Sequence, residues 1–133
     1  MILKGKVIKG LGKAKTFVNM MDEVFYKKTN IHLYPGTLNV KLDGKYNLNI
    51  DYLIKPEEYG GMFNVQIQKC KVFEKDAYIV RSEKNIKENG DYEQDIIEIV
   101  SNINFREKYN LKDGEQIKIR LYENNWKDYV KMI

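Results

Sequence analysis

The sequence predicts a mainly β protein that closes into a small barrel with a few short helices. Most of the chain reads as short strands, and residues 37–42 alternate cleanly, with Leu38, Val40 and Leu42 on one face. Helical spacing of apolar residues is confined to short stretches, and we find neither a repeat nor a linker in the 133 residues. Six or so short strands with long connections favour a closed barrel, because closure leaves no sheet edge exposed.

The first half of the chain is expected to hold two strands and one helix. Residues 2–8 form a strand that the glycines of residues 10–12 end. Residues 16–28 carry apolar side chains at helical spacing, namely Phe17, Met20, Met21, Val24 and Phe25. Tyr34-Pro35-Gly36 places proline and glycine as in a type II turn before the strand at residues 37–42. Residues 43–61 are polar and turn-rich and are predicted to be a long loop.

The second half is expected to add further strands and one short helix. Within the strand at residues 62–73 the alternation slips, because Phe63, Val65 and Ile67 share one parity whereas Cys70 and Val72 share the other. A bulge at residues 68–69 would correct the phase. The remaining elements are strands over residues 76–81, 95–100 and 116–122, a charged loop over 82–93, a helix over 105–109 and an extension over 123–133.

Composition excludes several kinds of chemistry. A single cysteine, Cys70, rules out an intrachain disulfide and a cysteine-based zinc site, and a single histidine, His32, argues against histidine metal clusters and a Ser-His-Asp triad. The formal net charge of +4 favours a phosphate-bearing partner. Because only three of the 23 basic residues are arginines, a broad nucleic-acid surface is not expected. The sequence lacks an apolar run long enough for a membrane span or a secretory signal, so a reduced cytoplasm is the expected compartment.

Two segments are candidates for binding phosphate or a base. Residues 10–15, Gly-Leu-Gly-Lys-Ala-Lys, follow a strand and precede a helix, so backbone N–H groups and two lysines could approach phosphate. The same pattern also fits a simple flexible turn. Residues 104–108 open the short helix, where backbone groups and Arg106 could hold a base or phosphate. The alternative for this segment is an ordinary surface helix turn.

Three further side chains could carry chemistry. Thr37 and Asn39 leave the same face of one strand, and their hydroxyl and amide oxygens are hard ligands that suit Mg²⁺. A solvated strand face would give the same pattern. Glu98 lies between Ile96 and Val100 on its strand face, and a carboxylate among apolar side chains costs free energy unless it is paired or used. It could accept a proton or a hydrogen bond from a substrate hydroxyl, or pair with a lysine at the barrel rim.

Four segments in order resemble the archaeal CTP-dependent riboflavin kinases. They are Gly-Leu-Gly at residues 10–12, Pro-Gly-Thr-Leu-Asn at 35–39, Ile-Glu-Ile at 97–99 and Phe-Arg-Glu-Lys-Tyr-Asn-Leu-Lys-Asp-Gly at 105–114. The resemblance spans about residues 2–121. It implies a compact six-stranded cradle-loop barrel, related to the RIFT barrels, that transfers the γ-phosphoryl of CTP to the 5′-hydroxyl of riboflavin, giving FMN and CDP.

The resemblance also implies site residues. Thr37 and Asn39 would hold Mg²⁺, and Glu98 would contact the flavin and serve as the one candidate base. The nucleotide would lie against Gly10, Leu11, Gly12, Lys13, Ala14 and Lys15 and against Ile103, Asn104, Phe105 and Arg106. This chain departs from the family at Ala14, where a glycine is frequent, and in residues 82–93, which lack the flavin-contacting threonine of the family.

The expected protein is thus a cytoplasmic monomer of one domain over residues 1–133 that binds riboflavin or FMN and CTP or CDP. We expect neither a membrane nor a nucleic acid as its partner. The competing hypothesis is a non-catalytic cradle-loop barrel that binds DNA or a flavin-like ligand. The Gly-Leu-Gly turn and the pair of Thr37 and Asn39 discriminate against it, because a DNA-binding barrel needs neither.

Overall fold

Six antiparallel strands close into a barrel, and a seventh short strand extends it at one side. The computed structural model describes residues 1–10, 12–84 and 94–122. In chain order the described elements are β1 Ile2–Ile8, α1 Ala14–Thr29, β2 Leu38–Leu42, β3 Tyr52–Ile54, α2 Pro56–Tyr59, β4 Val65–Val72, β5 Lys75–Ser82, β6 Ile96–Val100, α3 Phe105–Lys108 and β7 Gln116–Leu121.

Closure of the barrel depends on β4, which pairs with three strands. Around the barrel the neighbours run β4-β5-β6-β2-β1-β7, and β7 returns to β4 at Cys70–Val72. The first half of the same β4 edge pairs with β3, where Tyr52 lies opposite Ile67 and Ile54 opposite Val65. The predicted mainly β class and the closed six-stranded barrel are therefore confirmed.

Two apolar clusters stabilise the fold, one inside the barrel and one beneath α1. The inner cluster includes Leu38, Val40, Ile97, Ile99, Cys70 and Val72. The outer cluster joins the buried face of α1 to the outer side of the sheet and includes Val18, Met21, Phe25, Val65, Ile67 and Tyr78. Because burying apolar area is the main stabilising contribution, both faces of β4 and β5 contribute to stability.

The bulge predicted in the fourth strand is wrong. The pairing of β4 with β5 runs without interruption from Val65 opposite Ser82 to Val72 opposite Lys75. Val65 and Ile67 point towards α1, whereas Cys70 and Val72 point into the barrel. The apolar parity changes because α1 packs against only the first half of the outer face of β4.

Two local predictions also need correction. Residues 43–61 are more than a loop, since they contain β3 and the single turn of α2. The type II turn before β2 is wrong, because Gly36 does not adopt a positive φ and instead donates its N–H to the carbonyl of Tyr34 at 2.9 Å. The first helix runs slightly beyond its predicted ends and stops at Asn30, which takes a left-handed φ of 63°.

A buried polar network lies next to the barrel core. Arg81 is 4% exposed and donates from its guanidinium to the carbonyls of Tyr46, Gln94 (3.0 Å) and Ile96 (3.2 Å). Burial lowers the pKa of Arg81, because the low-dielectric interior disfavours its charge. Gln68 in turn accepts a 2.6 Å hydrogen bond from the hydroxyl of Tyr46. The network fixes the segment after β2 and the entry to β6 against β4 and β5.

Candidate active site

Two pockets share one wall, which residues 35–37 form directly before β2. The glycine pocket, of about 280 Å³, is lined by Gly10, Gly12, Ala14 and Lys15 on one side and by Pro35, Gly36, Thr37 and Asn39 on the other. The helix pocket, of about 230 Å³, is lined by Ile103, Asn104, Phe105 and Arg106 together with Tyr34, residues 35–38, Ile99 and Ser101. The fold thus brings the predicted nucleotide segments together around the predicted metal ligands.

The glycine pocket has the character of an anion site. Gly12 adopts a φ of 78°, in the left-handed region that favours glycine. The chain then enters α1, whose first turn carries no acidic residue and whose N-cap residue, Lys13, makes no side-chain cap. The partial positive charge at the start of α1 is therefore not offset by a local carboxylate. Lys15 adds a full positive charge to the pocket lining, whereas Lys13 is not part of that lining.

The departure at Ala14 is accommodated by this geometry. Ala14 is the first residue of α1 and has an ordinary negative φ, so its side chain introduces no backbone strain. Leu11, which the sequence also places in the nucleotide site, lies outside the described residues.

Thr37, Asn39 and Glu98 form a chain of polar contacts on the outer face of the barrel. Asn39 lies opposite Glu98 in the pairing of β2 with β6. The Asn39 Nδ2 group donates to Thr37 Oγ1 at 3.3 Å, and the Thr37 hydroxyl donates to Glu98 Oε1 at 3.4 Å. Asn39 is only 5% exposed, and its Oδ1 atom is buried without a hydrogen-bond partner. An unsatisfied buried oxygen is costly, so this atom is suited to a ligand or metal that the protein alone does not supply.

Glu98 lies where the strand parity predicts. Its neighbours Ile97 and Ile99 point into the barrel core, so Glu98 points outward, between Asn39 of β2 and Val80 of β5. It is only partly exposed, and Val80 is fully buried beside it. Asn39 lines the glycine pocket, so Glu98 is separated from that pocket by one neighbouring residue. On its other side Glu98 faces the apolar side chain of Val80.

The helix pocket is held together by side chains that already have partners. Asn104 caps α3 by accepting the N–H of Glu107 at 3.2 Å, and it donates from Nδ2 to the hydroxyl of Tyr34 at 3.1 Å. Arg106 donates to the carbonyl of Ile8 at 2.9 Å and to Asp113 Oδ1 at 2.5 Å. The guanidinium of Arg106 therefore joins β1, α3 and the turn before β7, a structural role that the sequence did not predict.

Among the helix-pocket residues that the sequence reasoning did not assign to a site, Tyr34 and Ser101 also lie outside the four motifs. Tyr34 stands directly before Pro-Gly-Thr-Leu-Asn, and Ser101 follows the β6 strand that carries Ile-Glu-Ile. The Tyr34 N–H donates to the Ser101 carbonyl at 2.8 Å, which joins the two segments. Their adjacency to the motifs was the available signal, but the contact between them is visible only in three dimensions.

Within the described residues, no group of three or more histidine, cysteine, aspartate or glutamate side chains is placed to hold a metal. The protein oxygens in this chain of contacts are those of the Thr37 hydroxyl, the Asn39 amide and a single carboxylate, Glu98. In the part of the chain that the structure describes, the helices are all too short or too polar to cross a membrane.

Similarity to known proteins extends over nearly the whole chain. A family model labelled as the CTP-dependent riboflavin kinase and described as "Domain of unknown function DUF120" matches residues 7–121. A riboflavin kinase of Staphylothermus marinus is 30% identical over 131 residues, covering 96% of this chain and 97% of the relative. A riboflavin kinase of Methanosphaera stadtmanae is 32% identical over 134 residues, covering 89% and 95% of the two chains. The chain belongs to the CTP-dependent riboflavin kinase family.

Proposed function

We propose that this chain transfers the γ-phosphoryl group of CTP to the 5′-hydroxyl of riboflavin at the wall between the two pockets. The bond from the γ-phosphorus to the oxygen that CDP retains breaks, a bond to the ribityl oxygen forms, and the hydroxyl proton is released. The observation that carries this proposal is the contact chain from Asn39 through Thr37 to Glu98 at the edge of the glycine pocket. This contact chain supports the proposal because it joins a carboxylate, which could act on the acceptor hydroxyl, to two residues that line the pocket assigned to the phosphates.

The glycine pocket is assigned to the phosphates. Backbone N–H groups at the start of α1, the open backbone at Gly12 and the positive charge of Lys15 all favour anions there. Phosphoryl transfer needs mainly positioning and charge neutralisation, and this pocket supplies both.

The fit of Mg²⁺ to the site rests on Asn39. Its buried and unsatisfied Oδ1 atom and the Thr37 hydroxyl are the two protein oxygens that would hold the ion. When bound, Mg²⁺ would neutralise charge on the phosphate oxygens. The residues themselves orient this wall of the pocket, because Asn39 also holds Thr37.

The helix pocket is assigned to the cytosine. Ile103, Asn104 and Phe105 line a small pocket, and Asn104 and Arg106 are already fixed by other hydrogen bonds. Backbone donors and acceptors held in fixed positions can read the edge of a base. The volume of about 230 Å³ suits the base and not the whole nucleotide, whose phosphates extend into the glycine pocket.

Glu98 is assigned to the flavin side. Its carboxylate can accept a hydrogen bond from the 5′-hydroxyl of the ribityl chain and receive its proton as the new bond forms. Because Thr37 already donates to Glu98, the carboxylate is oriented before the substrate arrives.

The test is formation of FMN and CDP from riboflavin, CTP and Mg²⁺, followed by chromatography. We expect CTP to be used in strong preference to ATP under matched conditions. Equal FMN formation from the two triphosphates would contradict the assignment of the helix pocket. A shift in riboflavin fluorescence on binding, with no FMN formed from any triphosphate, would instead support the non-catalytic flavin-binding barrel.

We also expect a cytoplasmic monomer that forms one domain over residues 1–133. Size-exclusion chromatography with light scattering tests the oligomeric state, with a mass near 15.8 kDa expected.

A further inference from the structure

The ring of Tyr34 is immobilised at the mouth of the helix pocket although it is 41% exposed. Its backbone N–H donates to the Ser101 carbonyl at 2.8 Å, and its hydroxyl accepts a 3.1 Å hydrogen bond from Asn104 Nδ2. A Cβ added to Gly36 would lie 3.3 Å from a ring carbon of Tyr34, so the ring lies tightly against the backbone there. An exposed aromatic ring fixed at both ends is a preformed surface for another flat group.

Asn104 links the two sides of the pocket mouth. Its Oδ1 atom caps α3 through Glu107, and its Nδ2 atom holds Tyr34 on the opposite side. The separation between α3 and the Tyr34 ring is therefore set by one side chain that has a partner at each end. An opening of fixed width admits only flat groups below a certain size. The pocket would therefore select its ligand by shape as well as by hydrogen bonding.

We infer that Tyr34 is a base-contacting residue that stacks on the nucleobase, and that the Tyr34–Asn104 hydrogen bond restricts the pocket to pyrimidines. The inference deepens the proposed function, because it assigns a specificity determinant to the same nucleotide site. Stacking on an aromatic side chain is available to every base, so the ring itself supplies affinity. The hydrogen bond supplies selection against purines by holding the ring in place.

The two contributions can be separated by two substitutions at one position. Tyr34→Ala removes the ring, and we expect the KM for CTP and the Kd for CDP to rise about tenfold to a hundredfold. The KM for riboflavin should stay unchanged. Tyr34→Phe keeps the ring and removes only the hydroxyl, so CTP binding should stay within about threefold of wild type, while the preference for CTP over ATP falls.

A third variant tests Asn104, the hydrogen-bond partner of Tyr34. Asn104→Ser keeps an N-cap hydroxyl for α3 but cannot reach Tyr34, so it should lower the preference for CTP as Tyr34→Phe does. The matched control is Tyr26→Ala, because Tyr26 is 40% exposed and its ring is stacked on His32 at 4.0 Å, away from both pockets. Thermal unfolding of each variant shows whether the fold is retained.

Calorimetry with CDP and ADP complements the kinetic assay, because it does not require turnover. If wild type forms FMN from CTP but Tyr34→Ala keeps the affinity for CDP, the inference is overturned and the proposed function stands. If Tyr34→Phe and Asn104→Ser both keep the full preference for CTP, the assigned role of the hydrogen bond is wrong. If wild type binds neither CTP nor CDP, the inference and the proposed function both fail.

Discussion

At the scale of single residues, Glu98 shows that alternation along a strand decides which side chains are available for chemistry. Its neighbours Ile97 and Ile99 enter the core, which leaves the carboxylate on the outer face beside Asn39. The same alternation places Thr37 on that face, and the pairing of β2 with β6 brings the three polar groups together. The face of each side chain could be predicted because a period of two is fixed by strand geometry, whereas the strand pairing could not.

Glu98→Gln should lower kcat more than it lowers nucleotide affinity. The substitution keeps the shape of the side chain but removes its charge, so a charged hydrogen bond to the acceptor hydroxyl is lost. Such a loss costs roughly 1.5–3 kcal/mol, which is about a tenfold to more than a hundredfold fall in rate. Steady-state kinetics at saturating CTP and calorimetry with CDP measure the two effects.

Glu57→Gln is the control for this substitution, since Glu57 is exposed on α2. A Glu98→Gln enzyme with normal turnover but weakened CDP binding would place Glu98 on the nucleotide side instead.

Cys70 should be inert in the folded protein. It is fully buried in the barrel core, and burial raises the pKa of its thiol to about 12. Because the thiolate is the reactive form, a thiol reagent should label the protein at pH 8 only after unfolding. Labelling in the native state at the rate of a free thiol would mean that β4 opens readily.

The same thiol should make stability depend on pH above 9. The pKa of the thiol is raised in the folded state, so the unfolded chain loses this proton first, near the ordinary thiol pKa of 9.0. The contribution is fully present below pH 9 and is lost as pH rises towards 12, with a slope of up to about 1.4 kcal/mol per pH unit. Cys70→Ala should reduce the pH dependence of the unfolding free energy between pH 9 and 10, and because tyrosines begin to titrate in the same range, the difference between wild type and variant is the quantity to measure.

At the scale of elements, Arg81 joins three segments that are distant in sequence. Its guanidinium donates to the carbonyls of Tyr46, Gln94 and Ile96, which lie outside β5. Arg81→Met keeps a long apolar stem but leaves these acceptors without their donor. We expect a loss of about 2–4 kcal/mol in the unfolding free energy, because unsatisfied buried polar groups are costly.

Arg120→Met is the matched control for Arg81→Met. Arg120 pairs with Glu74 at 2.6 Å, but the side chains are 52% and 74% exposed. An exposed ion pair of this kind contributes up to about 1 kcal/mol, and salt screens it. Chemical denaturation of the two variants compares them directly, and equal losses would show that the buried network does not have the role assigned to it.

Elements with a simple pattern could be predicted from the sequence. β1 has the predicted bounds, and β2, with Leu38, Val40 and Leu42 inward, differs from its prediction by one residue. β4 could be predicted as a strand, but its two apolar parities were explained by a bulge. The explanation failed because the packing of α1 against only part of the strand is a tertiary contact that no local pattern contains.

The candidate site likewise has a part that could be predicted from the sequence and a part that could not. The pair of Thr37 and Asn39 follows from alternation along one strand, whereas the contact of Tyr34 with Asn104 joins residues 70 positions apart. β3 was not predicted within residues 43–61, because a strand of three residues is too short to show an alternating pattern.

At the scale of the whole molecule, the barrel brings together two features from different elements: the start of α1, which we propose binds phosphate, and Thr37 and Asn39, which we propose as metal ligands. α1 follows β1, whereas Thr37 and Asn39 come from the β2 segment, and the pairing of β1 with β2 holds Ile8 opposite Asn39. The structure thus offers positive electrostatic potential for phosphate but no carboxylate cluster for a metal among the described residues. We therefore expect metal and nucleotide to depend on each other.

Mg²⁺ should bind barely detectably to the free protein and tightly only together with CTP. Mg²⁺ gives up water reluctantly and prefers anionic oxygens, which the triphosphate supplies and the pair of Thr37 and Asn39 does not. By thermodynamic reciprocity, CTP must bind more tightly in the presence of the metal by the same factor. Calorimetry of each ligand, alone and with the other present, measures this coupling.

Asn39→Ala should weaken the coupling and suppress phosphoryl transfer while the barrel stays folded, because Leu38, Val40 and Leu42 form the core face of β2. Thr37→Ser, which keeps the hydroxyl, is the matched control and should retain most of the coupling. Tight Mg²⁺ binding without nucleotide would reveal an anionic protein ligand and contradict the neutral-ligand model. Unfolding of the Asn39→Ala variant would make Asn39 a structural residue, in which case its buried Oδ1 atom would no longer support a metal site.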